Sequence, residues 1–81
     1  MFHLTMVTPE KVVLDAKISS LVAPGKMGYL QVLTGHAAIM TSLQPGRLEV
    51  KTEDGLLLVF AVSGGFLEVS DNEATLLADT V

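Results

Sequence analysis

The chain contains no cysteine and no tryptophan, and its aromatic residues are one tyrosine and three phenylalanines. Without cysteine there is no disulfide to brace a small fold and no thiolate to hold a metal, while redox compartment is left open. The two histidines, His3 and His36, stand far apart with no His-x-His or His-x-x-x-His spacing, so neither a metal site nor a cofactor is expected. Charge is sparse too: 17% of residues are charged, against about 25% in an average soluble domain. Nine acidic and five basic residues give a formal charge of -4 with no block of one sign. That excludes the basic footprint that nucleic acid or an anionic lipid surface requires. The longest uninterrupted apolar run, Leu56 to Val62, falls far short of the ~20 residues of a membrane helix. Met1 to Thr5 lacks the basic and apolar regions of a signal peptide. The expectation is a protein that is cytosolic, or peripheral to a membrane through a partner.

What the chain does have is apolar residues, 49% of an 81-residue sequence. At this length residues 1–81 make one domain with a thin core, because a chain of roughly 60 residues buries only about 60% of its unfolded surface. Apolar side chains in excess of that core must lie on the surface, where a contiguous patch marks a docking site. The composition therefore reads as that of a subunit.

Turn signals recur about every ten residues and no window of about 12 carries helical periodicity, the pattern of an all-β fold. The spacing predicts a two-sheet β-sandwich or flattened barrel of about ten short strands. Phe2 to Val7 alternates, with Phe2, Leu4 and Met6 on one parity, and Thr8-Pro9-Glu10 ends it. A second strand starts at Val12, with Leu14, Ala16, Ile18 and Val22 expected inward and Asp15, Lys17 and Ser19 outward, and Ala23-Pro24-Gly25 closes it. From Gly28 to Gly46 two apolar segments flank a Thr34-Gly35-His36 turn and end at Gln44-Pro45-Gly46. Ile39 and Leu43 fall on one parity and Ala38 and Met40 on the other, so both sides of that segment are expected to be covered. Arg47 to Lys51 alternates cleanly, placing Leu48 and Val50 in the core, and Asp54-Gly55 supplies the positive φ of a tight hairpin. Leu56 to Val62 is apolar throughout, which suits a strand buried on both faces provided a neighbour covers the outer one. Phe66 to Ser70 puts Leu67 and Val69 inward and leaves Phe66 on an otherwise polar face, before an Asp71-Asn72 turn and a last strand from Ala74 to Ala78.

Catalytic constellations are hard to find. Ala61-Val62-Ser63-Gly64-Gly65 has Ala where a nucleophile elbow has its first Gly, and no helix, His or acid follows in the required order. Gly25-Lys26 is followed by Met27 rather than Ser or Thr, so a phosphate-cradling loop is missing. The acidic pairs Glu53-Asp54 and Asp71/Glu73 sit in hairpin tips, where acids are ordinary turn formers. His36 follows Gly35 at a turn, where an imidazole more commonly bonds nearby backbone than performs chemistry.

Three ordered stretches carry a family likeness: Gly35-His36-Ala37-Ala38-Ile39-Met40-Thr41-Ser42-Leu43-Gln44-Pro45-Gly46, then Ser63-Gly64-Gly65-Phe66-Leu67-Glu68-Val69, then Leu76-Leu77-Ala78-Asp79-Thr80. With them the whole chain resembles the amino-terminal β-sandwich domain of the epsilon subunit of F-type ATP synthases, called delta in mitochondria. Thr34 and Ala38 stand where the family commonly has proline, Gln31 where many members have glycine, and Tyr29 where many have an acid. The resemblance implies a ten-stranded sandwich and a noncatalytic central-stalk subunit of a proton-translocating complex. Its partners would be the gamma subunit and the c-ring, at the cytoplasmic face of a bacterial inner membrane. It also implies a gamma-facing flank of His36, Met40, Thr41 and Phe66, and a ring-facing end of Thr8, Lys26, Met27, Gly28 and Tyr29. In other members the inhibition of hydrolysis and the binding of ATP belong to carboxy-terminal helices, a domain not found within residues 1–81, so ATP binding is not expected. A reading from another class is a free-standing β-sandwich binding module for a small ligand. That reading calls for a concave site with aromatics, and Phe2, Tyr29, Phe60 and Phe66 are scattered.

Overall fold

A computed structural model describes all residues from Met1 to Val81. The chain forms eight strands and no helix: β1 (Phe2–Val7), β2 (Val12–Gly25), β3 (Gly28–Leu33), β4 (Ile39–Leu43), β5 (Gly46–Thr52), β6 (Leu57–Val62), β7 (Gly65–Ser70) and β8 (Glu73–Ala78). All pairs are antiparallel except β1 with β8, which run parallel. Two layers result. One reads β4-β7-β8-β1 and then the first half of β2; the other reads β6-β5, the second half of β2, and β3. Strand β2 belongs to both, and at 14 residues it is more than twice as long as most of its neighbours.

A bulge in β2 decides which side chains enter the core. Its register with β5 runs Ile18 to Thr52 and then Ser20 to Lys51, so Ser19 is an extra residue, and its hydroxyl donates to the Lys51 carbonyl at 3.2 Å. An inserted residue reverses the alternation of a strand. Before Ser19 the inward positions are Leu14, Ala16 and Ile18; after it they are Leu21 and Ala23, both fully buried. The expectation that Val22 points inward is thus corrected: Val22 lies in register with Gln31 and Glu49 on the outer face and is only half-buried. Strict alternation carried across two serines misses an insertion that their short polar side chains accommodate. The strand also runs on through Ala23, Pro24 and Gly25, where the sequence placed its close.

Sixteen buried apolar residues form one core, led by Leu4, Met6, Ile18, Leu21, Leu48, Leu67 and Leu76. Each such side chain removed from water is worth about 1.5–3 kcal/mol. Phe2, Leu48, Val50 and Val69 are buried as their alternation predicts. Strand β6 departs from expectation. Leu58, Phe60 and Val62 face the core, whereas Leu57, Val59 and Ala61 are exposed, and β6 pairs only with β5. An outer layer that would bury both faces is not supplied by this chain, and the same holds for Met40, on the outer parity of β4.

The turns collect at two ends. At one lie the β3–β4 corner with Gly35 and His36, the β5–β6 hairpin and the Asp71-Asn72 turn, whose φ values of 51° and 60° suit a tight two-residue hairpin. At the other lie the β1–β2, β2–β3, β4–β5 and β6–β7 connections and the end of β8. Here Gly65, at φ 147°, approaches β8 so closely that a Cβ would meet the Leu77 carbonyl oxygen at 1.9 Å. Gly65→Ala is expected to cost about 3 kcal/mol or more, since backbone has to move. At Gly55, where φ is 90° but nothing lies within 4 Å, Ala is expected to cost only about 1 kcal/mol. Urea unfolding of the two variants checks the contrast, and equal losses would contradict it.

Candidate functional site

The outer face of the β4-β7-β8-β1-β2 layer carries an apolar row that no single strand reveals. In β7 alone, Phe66 shares its parity with Glu68 and Ser70. Cross-strand register adds what sequence cannot: Phe66 lies opposite Leu77, Leu77 opposite Val7, and Val7 opposite Val12. Phe66 is 36% exposed, Leu77 49% and Val12 60%. Side chains directly opposite one another sit about 4.5–5.5 Å apart at Cβ, so this is a continuous strip. Met40, 64% exposed, stands opposite Glu68 and so lies diagonally from Phe66. The sequence singled out Met40 and Phe66 but not Leu77, Val7 or Val12. Exposed apolar parity in β8 and at the start of β2 was the available signal, but only the pairing order assembles it.

The other residues of the expected flank lie elsewhere. Thr41 is half-buried on the inward parity of β4, opposite buried Leu67, with its hydroxyl donating to the Ser42 carbonyl at 3.0 Å. His36 sits in the β3–β4 corner, half-buried, with Nδ1 2.7 Å from the Ala37 carbonyl. That is the backbone-bonding role a turn histidine suggests. The corner is fastened from across the fold: the Gly35 N–H donates to Asn72 Oδ1 at 2.8 Å. Met40 and Phe66 are therefore brought together on a face, His36 stands at the end of the sandwich, and Thr41 turns away.

The second expected group shares the opposite end. Thr8 opens the β1–β2 turn, which its N–H closes on the Lys11 carbonyl at 2.9 Å. Lys26 and Met27 form the tip of the β2–β3 hairpin between paired Gly25 and Gly28, and Met27 is 96% exposed. Gln44 holds that tip, its Nε2 donating to the Lys26 carbonyl at 2.8 Å. Tyr29 is exposed along its ring while its hydroxyl accepts the Arg47 N–H at 3.0 Å, which orients it across β2. A methionine and a lysine offered on a braced hairpin tip suit contact with another molecule's surface better than chemistry on a small one.

Ser63 is tied to the segment that follows the last strand. Its Oγ accepts from the Thr80 N–H at 3.1 Å and from the Thr80 hydroxyl at 2.8 Å, so it latches the end of β8 to the β6–β7 connection.

The sequence matches the family described as ATP synthase, Delta/Epsilon chain, beta-sandwich domain over residues 1–81. It is 38% identical over 79 residues to the ATP synthase epsilon chains of Brucella canis and Brucella suis, covering 98% of this chain and 58% of each relative. The chain thus spans little more than half the length of those relatives. Among solved structures it is similar to a chain of the Euglena gracilis mitochondrial ATP synthase (OSCP/F1/c-ring), with a TM-score of 0.86, 28% identity, and 94% and 49% of the two chains covered. A chain of the Tetrahymena thermophila mitochondrial ATP synthase central stalk and c-ring shares the fold at a TM-score of 0.79 and 23% identity, covering 94% of this chain and 61% of that one.

The Asn72 bond to the His36 corner is testable on its own. Asn72→Gly keeps the positive φ available while removing the acceptor, and is expected to cost about 1 kcal/mol, with the Gly35 amide losing its protection from hydrogen exchange. Unchanged Gly35 protection would contradict the fastening.

Proposed function

The chain belongs to the ATP synthase delta/epsilon β-sandwich family, and on that footing we propose that it serves as a noncatalytic central-stalk subunit of an F-type ATP synthase. It would turn with the gamma subunit and the c-ring and couple ring rotation to ATP synthesis, peripheral to the membrane and, in a bacterium, on its cytoplasmic face. The observation that carries this reading is the match of the family along the entire chain, in company with an apolar strip that the chain leaves uncovered. Epsilon chains of Brucella and the Euglena synthase chain support it by likeness.

The physical argument concerns how a small sandwich can be held on a rotating shaft. Sparse charge favours a contact made by burial, and interface cores are depleted of charge and enriched in aromatics and methionine. Met40 and Phe66, with Leu77, Val7 and Val12 in the same face, have that character and form the gamma-facing surface, with His36 at its edge. Thr41, on the inner parity, contributes by packing the strand that carries Met40. The Thr8 turn and the Lys26 to Tyr29 hairpin form the ring-facing end. Their arrangement on the end opposite His36 lets one domain touch both partners at once.

Co-expression with gamma and the c-ring tests the assignment. Replacing Met40 and Phe66 together with Asp is expected to reduce recovery of the complex at least about tenfold, as loss of two buried apolar anchors warrants, while the isolated domain keeps its thermal midpoint. Complex recovered at the level of the unaltered chain would overturn the flank. Failure of the unaltered chain to join gamma at all would overturn the subunit role.

A further inference from the structure

On the same outer face, two rows beyond the apolar strip, a charged cluster joins three strands. His3 of β1 lies in register with Lys17 of β2 on one side and Glu73 of β8 on the other. Its Nε2 meets Asp15 Oδ1, while its Nδ1 is 3.5 Å from Glu73 Oε2. With a carboxylate at each ring nitrogen, the form that satisfies both is the imidazolium, which donates from both nitrogens. The backbone continues the connection: the His3 N–H donates to the Asn72 carbonyl at 3.0 Å, and Asn72 Oδ1 accepts the Gly35 N–H at 2.8 Å. Residue 72 is thus held by β1 through its main chain and holds the His36 corner through its side chain.

We propose that His3 is a pH-set clamp: protonated, it ties β2, β1 and β8 together and braces the Asn72 turn and, through it, the Gly35-His36 corner; deprotonated, it lets that end of the sandwich loosen. This stands on the cluster itself and does not depend on the identity of any partner. β1 and β8 form the single parallel pair of the sheet, and parallel pairing is slightly less stable per residue than antiparallel. A charged cross-link therefore sits where the ladder is weakest. The hydrogen bond that His3 donates to Asp15 raises its pKa above the ordinary 6.5, burial opposes the rise, and Glu73 adds to it. A raised folded-state value means the clamp's contribution is complete below about pH 6.5 and is lost as pH climbs through the folded-state pKa. The groups facing His3 are Asp15 and Lys17 from β2 and Glu73 from β8, with Asp71 in the adjoining turn and the Met1 amine two residues before it in the chain.

Proton NMR titration of the domain tests this, with His36→Gln used to assign the imidazole signals and to remove those of the other histidine. In that background the His3 midpoint is expected above about 6.5 and to move downward in both Asp15→Asn and Glu73→Gln, which alter exposed side chains and leave the core intact. The Gly35 and Asn72 amides are expected to shift with the His3 midpoint and to stop doing so in His3→Gln. A His3 midpoint at or below the ordinary value, or one indifferent to both carboxylate substitutions, would overturn the clamp. Gly35 and Asn72 amides that ignore His3 would overturn its reach to the corner.

Discussion

A strand that serves two sheets has to bend where it passes from one to the other, and a bulge placed there both bends it and reverses which set of side chains turns inward. In β2 the extra residue at Ser19 performs that reversal, and much of the domain hangs on it. Ile18 and Leu21 both reach the centre of the core only because the parity changes between them. The bend that accompanies a bulge also lets β2 leave β1 and enter the space between β5 and β3. With a core of sixteen residues, there is no spare apolar layer to absorb a register slip. A one-residue error would send Leu21 and Ala23 to the surface.

Closure by a shared strand also explains where apolar side chains are left over. The β4-β7-β8-β1 layer offers its outer face to solvent, and the strip from Phe66 to Val12 runs straight across it. On the other layer, edge strand β6 shows Leu57, Val59 and Ala61. Edge strands of free-standing domains commonly carry charge, proline or a bulge that discourages pairing. Residues 57–62 carry none of these. Both the strip and this open edge are therefore left without a cover from within the chain.

The two ends of the sandwich are organised by different means. At the Thr8 and Lys26 end, hydrogen bonds from Gln44, to Tyr29 and to Ser63 pin successive turns to one another. The His36 end relies on Asn72 and on the ionic group around His3. One end is held by hydrogen bonds among uncharged groups, and the other includes the ionic group of His3, Asp15 and Glu73, although they share one core.

Composition and alternation alone settled that this is an all-β domain, which residues of β1, β5 and β7 lie inside, and where the hairpins turn, because period-two burial and turn chemistry are local properties of a strand. The motifs from Gly35 to Gly46 and from Ser63 to Val69 likewise disclosed the family. Tertiary structure alone decided the parity of Val22, the exposure of one face of β6, the separation of Thr41 from Met40, and the union of Phe66 with Leu77, Val7 and Val12. Each of these depends on which strands lie side by side and in what register, and hydrogen-bonded pairing between residues distant in sequence leaves no periodic trace within either strand.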